Sequence, residues 1–173
     1  MEEKRFRHLP LVLSGARLAV LPFLLLSLGY RLVLVADVLF LFAVATDFAD
    51  GYAAKKLNLT SKLGALFDAT IDFLFIFGVF AYFVSCGFYA VWLLFLATFE
   101  FAQFLLTSHF SEIVYDPVGK YYGSLLYGAV GLTLLFSGET IYTIVSVGVV
   151  LATVLSLLSR LFYFVRVCTC KKR

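Results

Sequence analysis

The chain has 173 residues, of which 62% are hydrophobic, with a mean hydropathy of +0.99 and a formal net charge of +3. Such an apolar composition excludes an ordinary soluble domain, because a soluble fold of this length has too little interior to bury it. The small basic excess indicates attraction to anionic lipid headgroups and not a nucleic-acid-binding surface.

Six apolar segments are long enough to cross a bilayer, which requires about 20 residues per helix. They cover approximately residues 9–30, 32–54, 64–86, 88–110, 119–137 and 141–166. The sequence therefore predicts an all-α integral membrane protein with six transmembrane helices. Pro22 interrupts the first segment, so we also expect a short N-terminal interfacial helix that bends near this proline into the membrane.

Basic residues orient the predicted helices, because lysine and arginine accumulate on the cytoplasmic side of membrane proteins. In a six-helix arrangement nearly all of them fall on one side: Lys4, Arg5, Arg7, Lys55, Lys56, Lys62, Lys120, Arg166, Lys171, Lys172 and Arg173. The opposite side has Arg31 and Glu139 in its connections. The pattern predicts a multi-pass protein with both termini, and the connection at 55–63, in the cytoplasm.

Four aspartates lie in residues 47–72, at the ends of the second and third predicted spans. Asp47 and Asp50 are three residues apart and Asp68 and Asp72 are four apart, so each pair shares one face of a helix. Clustered carboxylates repel each other unless hard cations neutralise them, and such cations prefer oxygen ligands. The spacing therefore predicts a divalent metal site at the cytoplasmic face.

Three small residues, Gly51, Ala54 and Gly64, lie between the two acidic pairs and leave room for a bulky ligand near the backbone. A purely structural set of acids paired with lysines would leave these glycines unexplained. A cation channel or carrier would also use intramembrane carboxylates. Against that alternative, the four acids lie at one membrane face, and Asp37 is the one acid of this span that continues toward the other side.

This stretch resembles the signature of the CDP-alcohol phosphatidyltransferases, membrane enzymes that join a CDP-activated lipid to a small alcohol and release CMP. The matching positions, in order, are Asp47, Asp50, Gly51, Ala54, Lys55, Gly64, Asp68 and Asp72. Lys55 is the one departure, because the family usually has arginine there; lysine keeps the charge but loses the bidentate geometry. The resemblance implies that residues 1–173 form a single membrane domain of this family.

The family resemblance also implies roles for the signature residues. Asp47, Asp50, Asp68 and Asp72 would bind divalent metal, two ions of Mg²⁺ or Mn²⁺, and Asp72 would also be the general base. The CDP group would lie against Asp50, Gly51, Ala54, Lys55 and Gly64. The implied partners are a CDP-lipid donor, a small alcohol acceptor, the bilayer and a second copy of the chain in a homodimer.

Gly119 and Lys120 are similar to a glycine-lysine segment in the glycerophosphate-accepting branch of the family, although the second lysine of that segment is missing. Lys120 suits an acceptor phosphate, since charge-assisted hydrogen bonds favour phosphate oxygens; its alternative role is a topology signal. The expected acceptor is a phosphorylated polyol such as glycerol 3-phosphate. Inositol phosphate and serine remain open alternatives.

Arg17 lies between a hydroxyl residue and Pro22, an order similar to the opening pattern of the family. It is expected to reach a lipid or acceptor phosphate, and the alternative is that it extends to the lipid headgroups. In the fourth span, Glu100 is placed as an acid is in relatives, and it is a further candidate for lining the site.

Overall fold

The computed structural model describes the backbone of residues 9–56, 62–109 and 119–170, and the side chains of 15–48, 64, 66–106, 121–159 and 161. This part of the chain consists of helices joined by short turns and has no strand. Its six helices are α1 Leu9–Gly29, α2 Val33–Lys56, α3 Lys62–Ser85, α4 Trp92–His109, α5 Gly119–Leu135 and α6 Glu139–Cys170. The predicted all-α fold class is confirmed, and each helix corresponds to one predicted apolar segment.

The first helix runs from Leu9 to Gly29 and contains Pro22 in its interior. Proline removes one helical hydrogen bond, but the flanking turns of α1 continue the helix on both sides. The predicted short interfacial helix is therefore not a separate element within the described residues. Residues 1–8, which belonged to that expectation, lie outside them.

Two helices end in the same backbone motif, and this explains why apolar sequence stops being helical there. After α1, the N–H of Leu32 donates to the carbonyl of Ser27 at 2.8 Å, and the N–H of Arg31 donates to that of Leu28 at 3.0 Å. This pair of bonds requires a left-handed residue at the turn. Arg31 has a φ of 56°, and Gly87 supplies the equivalent turn after α3 with a φ of 79°.

The chain divides into two compact units, here called the first unit (Met1–Tyr82) and the second unit (Phe83–Arg173). In the first unit the core contains small and aromatic side chains from α2 and α3, including Ala36, Ala43 and Phe75. At one point α1 and α3 approach closely: a Cβ added at Gly78 would lie 3.0 Å from a terminal carbon of Leu21. The absent side chain at this glycine allows the approach.

In the second unit, aromatic contacts hold the connection between α3 and α4. The Tyr89 hydroxyl is hydrogen bonded to the Thr133 hydroxyl of α5 at 2.6 Å. Phe88 stacks on Tyr142 of α6 with ring centroids 4.9 Å apart, and the Tyr89 ring meets Tyr142 edge-on at 5.6 Å. The connection is therefore fixed to both of the other helices of its unit.

Large apolar side chains cover much of the surface; Leu34, Phe48 and Phe95 are each more than 70% exposed. Extensive exposed apolar area is typical of surfaces that meet lipid or other protein. Among the described residues, Leu66–Ser85 and Glu139–Ser159 are long and apolar enough to cross a bilayer. Three further apolar helical segments are shorter: Gly15–Gly29, Trp92–Leu106 and Tyr121–Leu135.

Candidate functional site

A buried arginine joins the three helices of the first unit. Nη1 of Arg17, on α1, lies 2.9 Å from Oδ1 of Asp47 on α2, and the same nitrogen contacts Oδ1 of Asp72 on α3. The Arg17 side chain is only 1% exposed, whereas Asp47 and Asp72 are 39% and 25% exposed. A guanidinium removed from water requires charged or hydrogen-bonding partners, and these carboxylates supply them.

The positions of the three residues along their helices explain why they meet. Arg17 is eight residues after the start of α1, Asp47 is nine before the end of α2, and Asp72 is ten after the start of α3. At a rise of about 1.5 Å per residue, the three residues lie about 12 to 15 Å from the start of α1, the end of α2 and the start of α3, respectively. Because these helices alternate in direction, equal distances along them bring the three side chains to one level.

The convergence of two carboxylate oxygens on one cationic atom resembles the oxygen environment that a hard cation requires. Arg17, Asp47, Asp68 and Asp72 together carry a net charge of −2, which one divalent ion would balance. The donor chemistry of these residues therefore fits Mg²⁺ or Mn²⁺. Within the described side chains, however, no three acidic, histidine or cysteine residues are grouped closely enough to form a metal centre.

For the remaining predicted site residues, the structure describes the side chains of some and only the backbone of others. Asp68 is half-buried on α3, one turn before Asp72, and Gly64 is half-buried in the first turn of that helix. Several predicted residues have helical backbone, but their side chains lie outside the described part: Asp50, Gly51, Ala54 and Lys55 on α2, and Lys120 on α5. The predicted roles of all these residues stay predictions.

The environment of Arg17 corrects one of its two interpretations. A side chain that is 1% exposed and held between two carboxylates does not extend to the lipid headgroups. Sequence reasoning missed its ion pairs with Asp47 and Asp72. The available signal was a single arginine inside an apolar segment of a chain with surplus intramembrane acids, since a charge in such a position is almost always paired.

The second unit contains a buried acid in a different environment. Glu100 of α4 is 2% exposed and accepts a hydrogen bond from the Ser156 hydroxyl of α6 at 3.1 Å. Nearby, the Tyr122 hydroxyl of α5 is hydrogen bonded to the Thr153 hydroxyl of α6 at 3.1 Å. These contacts link helices of the second unit, and a role for Glu100 in the active site stays a prediction.

A family model described as CDP-alcohol phosphatidyltransferase matches residues 7–163. The chain belongs to this family. The match includes Arg17, Asp47 and Asp72, and so the three helices that meet at the ion pairs are part of the CDP-alcohol phosphatidyltransferase sequence. The family is membrane-embedded, in agreement with the apolar surface.

Three relatives of the CDP-alcohol phosphatidyltransferase chain carry the name CDP-diacylglycerol--glycerol-3-phosphate 3-phosphatidyltransferase. The protein from Rickettsia felis is 40% identical over 76 residues, which are 40% of each chain. That from Rickettsia typhi is 39% identical over 72 residues, 38% of this chain and 39% of the relative. That from Pectobacterium atrosepticum is 32% identical over 68 residues, 38% of this chain and 37% of the relative. The matches thus span about two-fifths of the length of these curated relatives.

Proposed function

We propose that the protein transfers a phosphatidyl group, or an ether-lipid phosphate, from a CDP-lipid to the hydroxyl of a small alcohol and releases CMP. The observation that carries the proposal is the convergence of Asp47 and Asp72, from two helices, on one cationic atom within the family sequence. The names of the relatives support glycerol 3-phosphate as the acceptor. The family match extends across both compact units, which supports one functional domain over residues 1–173.

The proposed setting is a multi-pass membrane protein of six spans, with the carboxylates and both termini at the cytoplasmic face. The exposed apolar side chains and the two membrane-length helices support insertion in a bilayer. The distribution of lysine and arginine in the sequence supports the orientation. Single cysteines at Asn58 and Gly138, in a cysteine-free background, should react with an impermeant thiol reagent from opposite sides. Reaction from the same side would contradict the six-span arrangement.

Asp47, Asp50, Asp68 and Asp72 are proposed to hold the divalent metal, Mg²⁺ or Mn²⁺. When bound, the metal supplies charge neutralisation of the pyrophosphate and makes CMP a better leaving group. Asp50, Gly51, Ala54, Lys55 and Gly64 are proposed to accommodate the CDP group, because larger side chains at the glycine and alanine positions would fill its space.

Asp72 is proposed to accept the proton of the acceptor hydroxyl as its oxygen attacks the lipid-side phosphorus. A new phosphorus–oxygen bond to the alcohol forms, the bond from that phosphorus to the CMP oxygen breaks, and CMP departs with the bonding electrons. Lys120 and Arg17 are the proposed donors to a phosphate on the acceptor. The contact between Arg17 and Asp72, the proposed base, supports the proposal that this arginine lies near the reacting groups.

The direct test incubates purified protein in lipid with CDP-diacylglycerol, Mg²⁺ and a panel of labelled acceptors: glycerol 3-phosphate, inositol phosphate and serine. CMP release should be fastest with glycerol 3-phosphate and should stop on addition of EDTA. Asp47→Asn should abolish turnover, whereas Asp37→Asn, the same change about 15 Å earlier on α2, should leave most of it. Turnover in EDTA, or cation flux across sealed vesicles without CMP, would contradict the proposal.

A further inference from the structure

Arg17 contacts two of the carboxylates that are proposed to bind the metal. Its Nη1 contacts Oδ1 of Asp47 and Oδ1 of Asp72. A guanidinium stays protonated in proteins, so a positive charge lies where these oxygens converge. A divalent cation at the same two carboxylates would be repelled by this guanidinium charge, because like charges disfavour each other at close range. The metal and Arg17 therefore compete electrostatically for Asp47 and Asp72.

The exposure of the three side chains favours such competition. Arg17 is 1% exposed, whereas the Asp47 and Asp72 side chains are 39% and 25% exposed. The two carboxylates are thus partly accessible, whereas Arg17 is buried. Arg17 and the four proposed ligands, Asp47, Asp50, Asp68 and Asp72, together carry a net charge of −3, so a divalent ion and the arginine can both stay close to the cluster.

We propose that Arg17 is an exchangeable counter-ion for the metal site, an inference that rests on the metal dependence of the proposed function. Without bound metal, Arg17 holds Asp47 and Asp72 together against their mutual repulsion. When a divalent ion binds, Arg17 leaves at least one of the two carboxylates. Arg17 is then a positioning residue that keeps the site assembled and lowers its metal affinity.

The test measures Mn²⁺ binding to purified protein in lipid nanodiscs by the electron paramagnetic resonance signal of free Mn²⁺, without substrate. Arg17→Gln should bind Mn²⁺ about tenfold more tightly than wild type, since a charge-assisted hydrogen bond no longer has to be broken. Arg31→Gln is the matched control. Arg31 lies just beyond the opposite end of α1 and is exposed, so this variant should bind Mn²⁺ with wild-type affinity.

Thermal unfolding gives a second readout that does not depend on activity. In EDTA, Arg17→Gln should unfold at a lower temperature than wild type, because two carboxylates lose their counter-ion. Mn²⁺ should raise its unfolding temperature more than that of wild type. Arg17→Lys, which keeps the positive charge, should be closer to wild type in both measurements.

If Arg17→Gln bound Mn²⁺ as tightly as wild type or less tightly, the proposed exchange would be wrong, because the arginine would then leave the metal affinity unchanged or increase it. Folding of Arg17→Gln only when Mn²⁺ is present would support it, and failure to fold with and without Mn²⁺ would overturn it. If wild type and all variants bind no Mn²⁺, the proposed metal-dependent function fails together with this inference. Mn²⁺ binding with equal affinities would remove the inference alone.

Discussion

The first unit joins α1, α2 and α3 through ion pairs of Arg17 with Asp47 and Asp72. The described polar side-chain contacts between segments of the second unit are instead hydrogen bonds between hydroxyl groups and to Glu100. Three of the four buried polar side chains described in the second unit are hydroxyls: Thr133, Thr153 and Ser156. A neutral hydroxyl pair satisfies two buried groups at a much smaller desolvation cost than an ion pair.

The difference indicates what each set of contacts does. Hydroxyl pairs suffice to link helices, so packing alone does not require the more costly charges of the first unit. Charged groups that are kept at such a cost in an apolar environment are usually functional. The comparison therefore supports the proposed site at Arg17, Asp47 and Asp72, and it leaves Glu100 as the buried acid of the second unit that a matched variant has to test.

The largest expected effect tests whether catalysis depends on the first unit and not on the second. Asp72→Asn should lower kcat about 10²- to 10⁴-fold, the usual contribution of a general base. Glu100→Gln is the matched acid-to-amide change in the second unit, and it should lower kcat by less than about tenfold, because the amide oxygen still accepts a hydrogen bond from Ser156. The measurement is CMP release at saturating substrates. An equally large loss in Glu100→Gln would show that chemistry is not confined to the first unit.

The second prediction would sharpen the comparison by testing whether the second unit binds a substrate. If Lys120 donates to a phosphate on the acceptor, Lys120→Ala should raise the acceptor KM about 10- to 100-fold, with a smaller change for the CDP-lipid. Lys120→Arg should keep most of the affinity. Steady-state kinetics with each substrate varied in turn would measure both values. An unchanged acceptor KM would leave Lys120 as a topology signal and favour serine over a phosphorylated acceptor.

A packing change should have a smaller effect. Gly78→Val would push into Leu21 across the close approach of α1 and α3, and overpacking of this kind costs about 1 to 3 kcal/mol. Gly128→Val is the matched control in α5, where an added Cβ meets nothing within 4 Å. Unfolding in mixed micelles would compare the two variants. Adding Leu21→Ala to Gly78→Val should recover part of the loss, and no recovery would argue against this contact as the cause.

The smallest expected effect concerns the hydroxyl pairs. Tyr89→Phe removes the hydrogen bond to Thr133, whose hydroxyl still donates to the carbonyl of Ala129, so the free energy of unfolding should fall by about 0.5 to 1.5 kcal/mol. Tyr30→Phe, at a residue that is 76% exposed, should have no measurable effect. If Tyr89→Phe lost as much unfolding free energy as the loss of a buried ion pair costs, the distinction between costly ion pairs in the first unit and weak hydroxyl pairs in the second would be wrong.

The pH dependence of the stability lost in Tyr89→Phe provides a further check. Burial raises the pKa of the Tyr89 phenol above its usual value, while the hydrogen bond to Thr133 acts in the opposite direction. The folded state thus favours the neutral phenol, and its contribution to stability is complete below the unfolded tyrosine pKa of about 10. The stability difference between wild type and Tyr89→Phe should be constant below that pH and decrease as the pH rises through the folded pKa.

Much of the fold could be predicted because apolar segments have a clear length and end at recognisable positions. The break between α3 and α4 was predicted at residues 86–87 only because the two apolar runs together are too long for one span. The left-handed turn at Gly87 that ends α3 was not predicted. The unbroken course of α1 through Pro22 was not predicted, because proline in a sequence does not reveal whether the flanking turns hold the helix together.

At the candidate site, the spacing of the aspartates predicted which residues share a helix face. It did not predict that Arg17 pairs with Asp47 and Asp72, because these partners are 30 and 55 residues away in sequence. The hydroxyl pairs of the second unit were also missed. Threonine and tyrosine occur throughout apolar helices, and no spacing rule indicates which of them will meet.

These long sequence separations have a consequence for biogenesis. Arg17 precedes Asp47 by 30 residues and Asp72 by 55 residues, so α1 leaves the ribosomal exit tunnel before either counter-ion does. In the proposed six-span arrangement, an arginine without a counter-ion opposes insertion of α1, by up to about 2.5 to 3.5 kcal/mol on insertion scales for a residue at the bilayer centre. We therefore expect α1 to remain at the translocon until α2 and α3 arrive. Ribosome-bound chains just long enough to bring α1 out of the exit tunnel should insert poorly unless Arg17 is replaced by leucine. Chains long enough to release α3 as well should insert equally well with either residue.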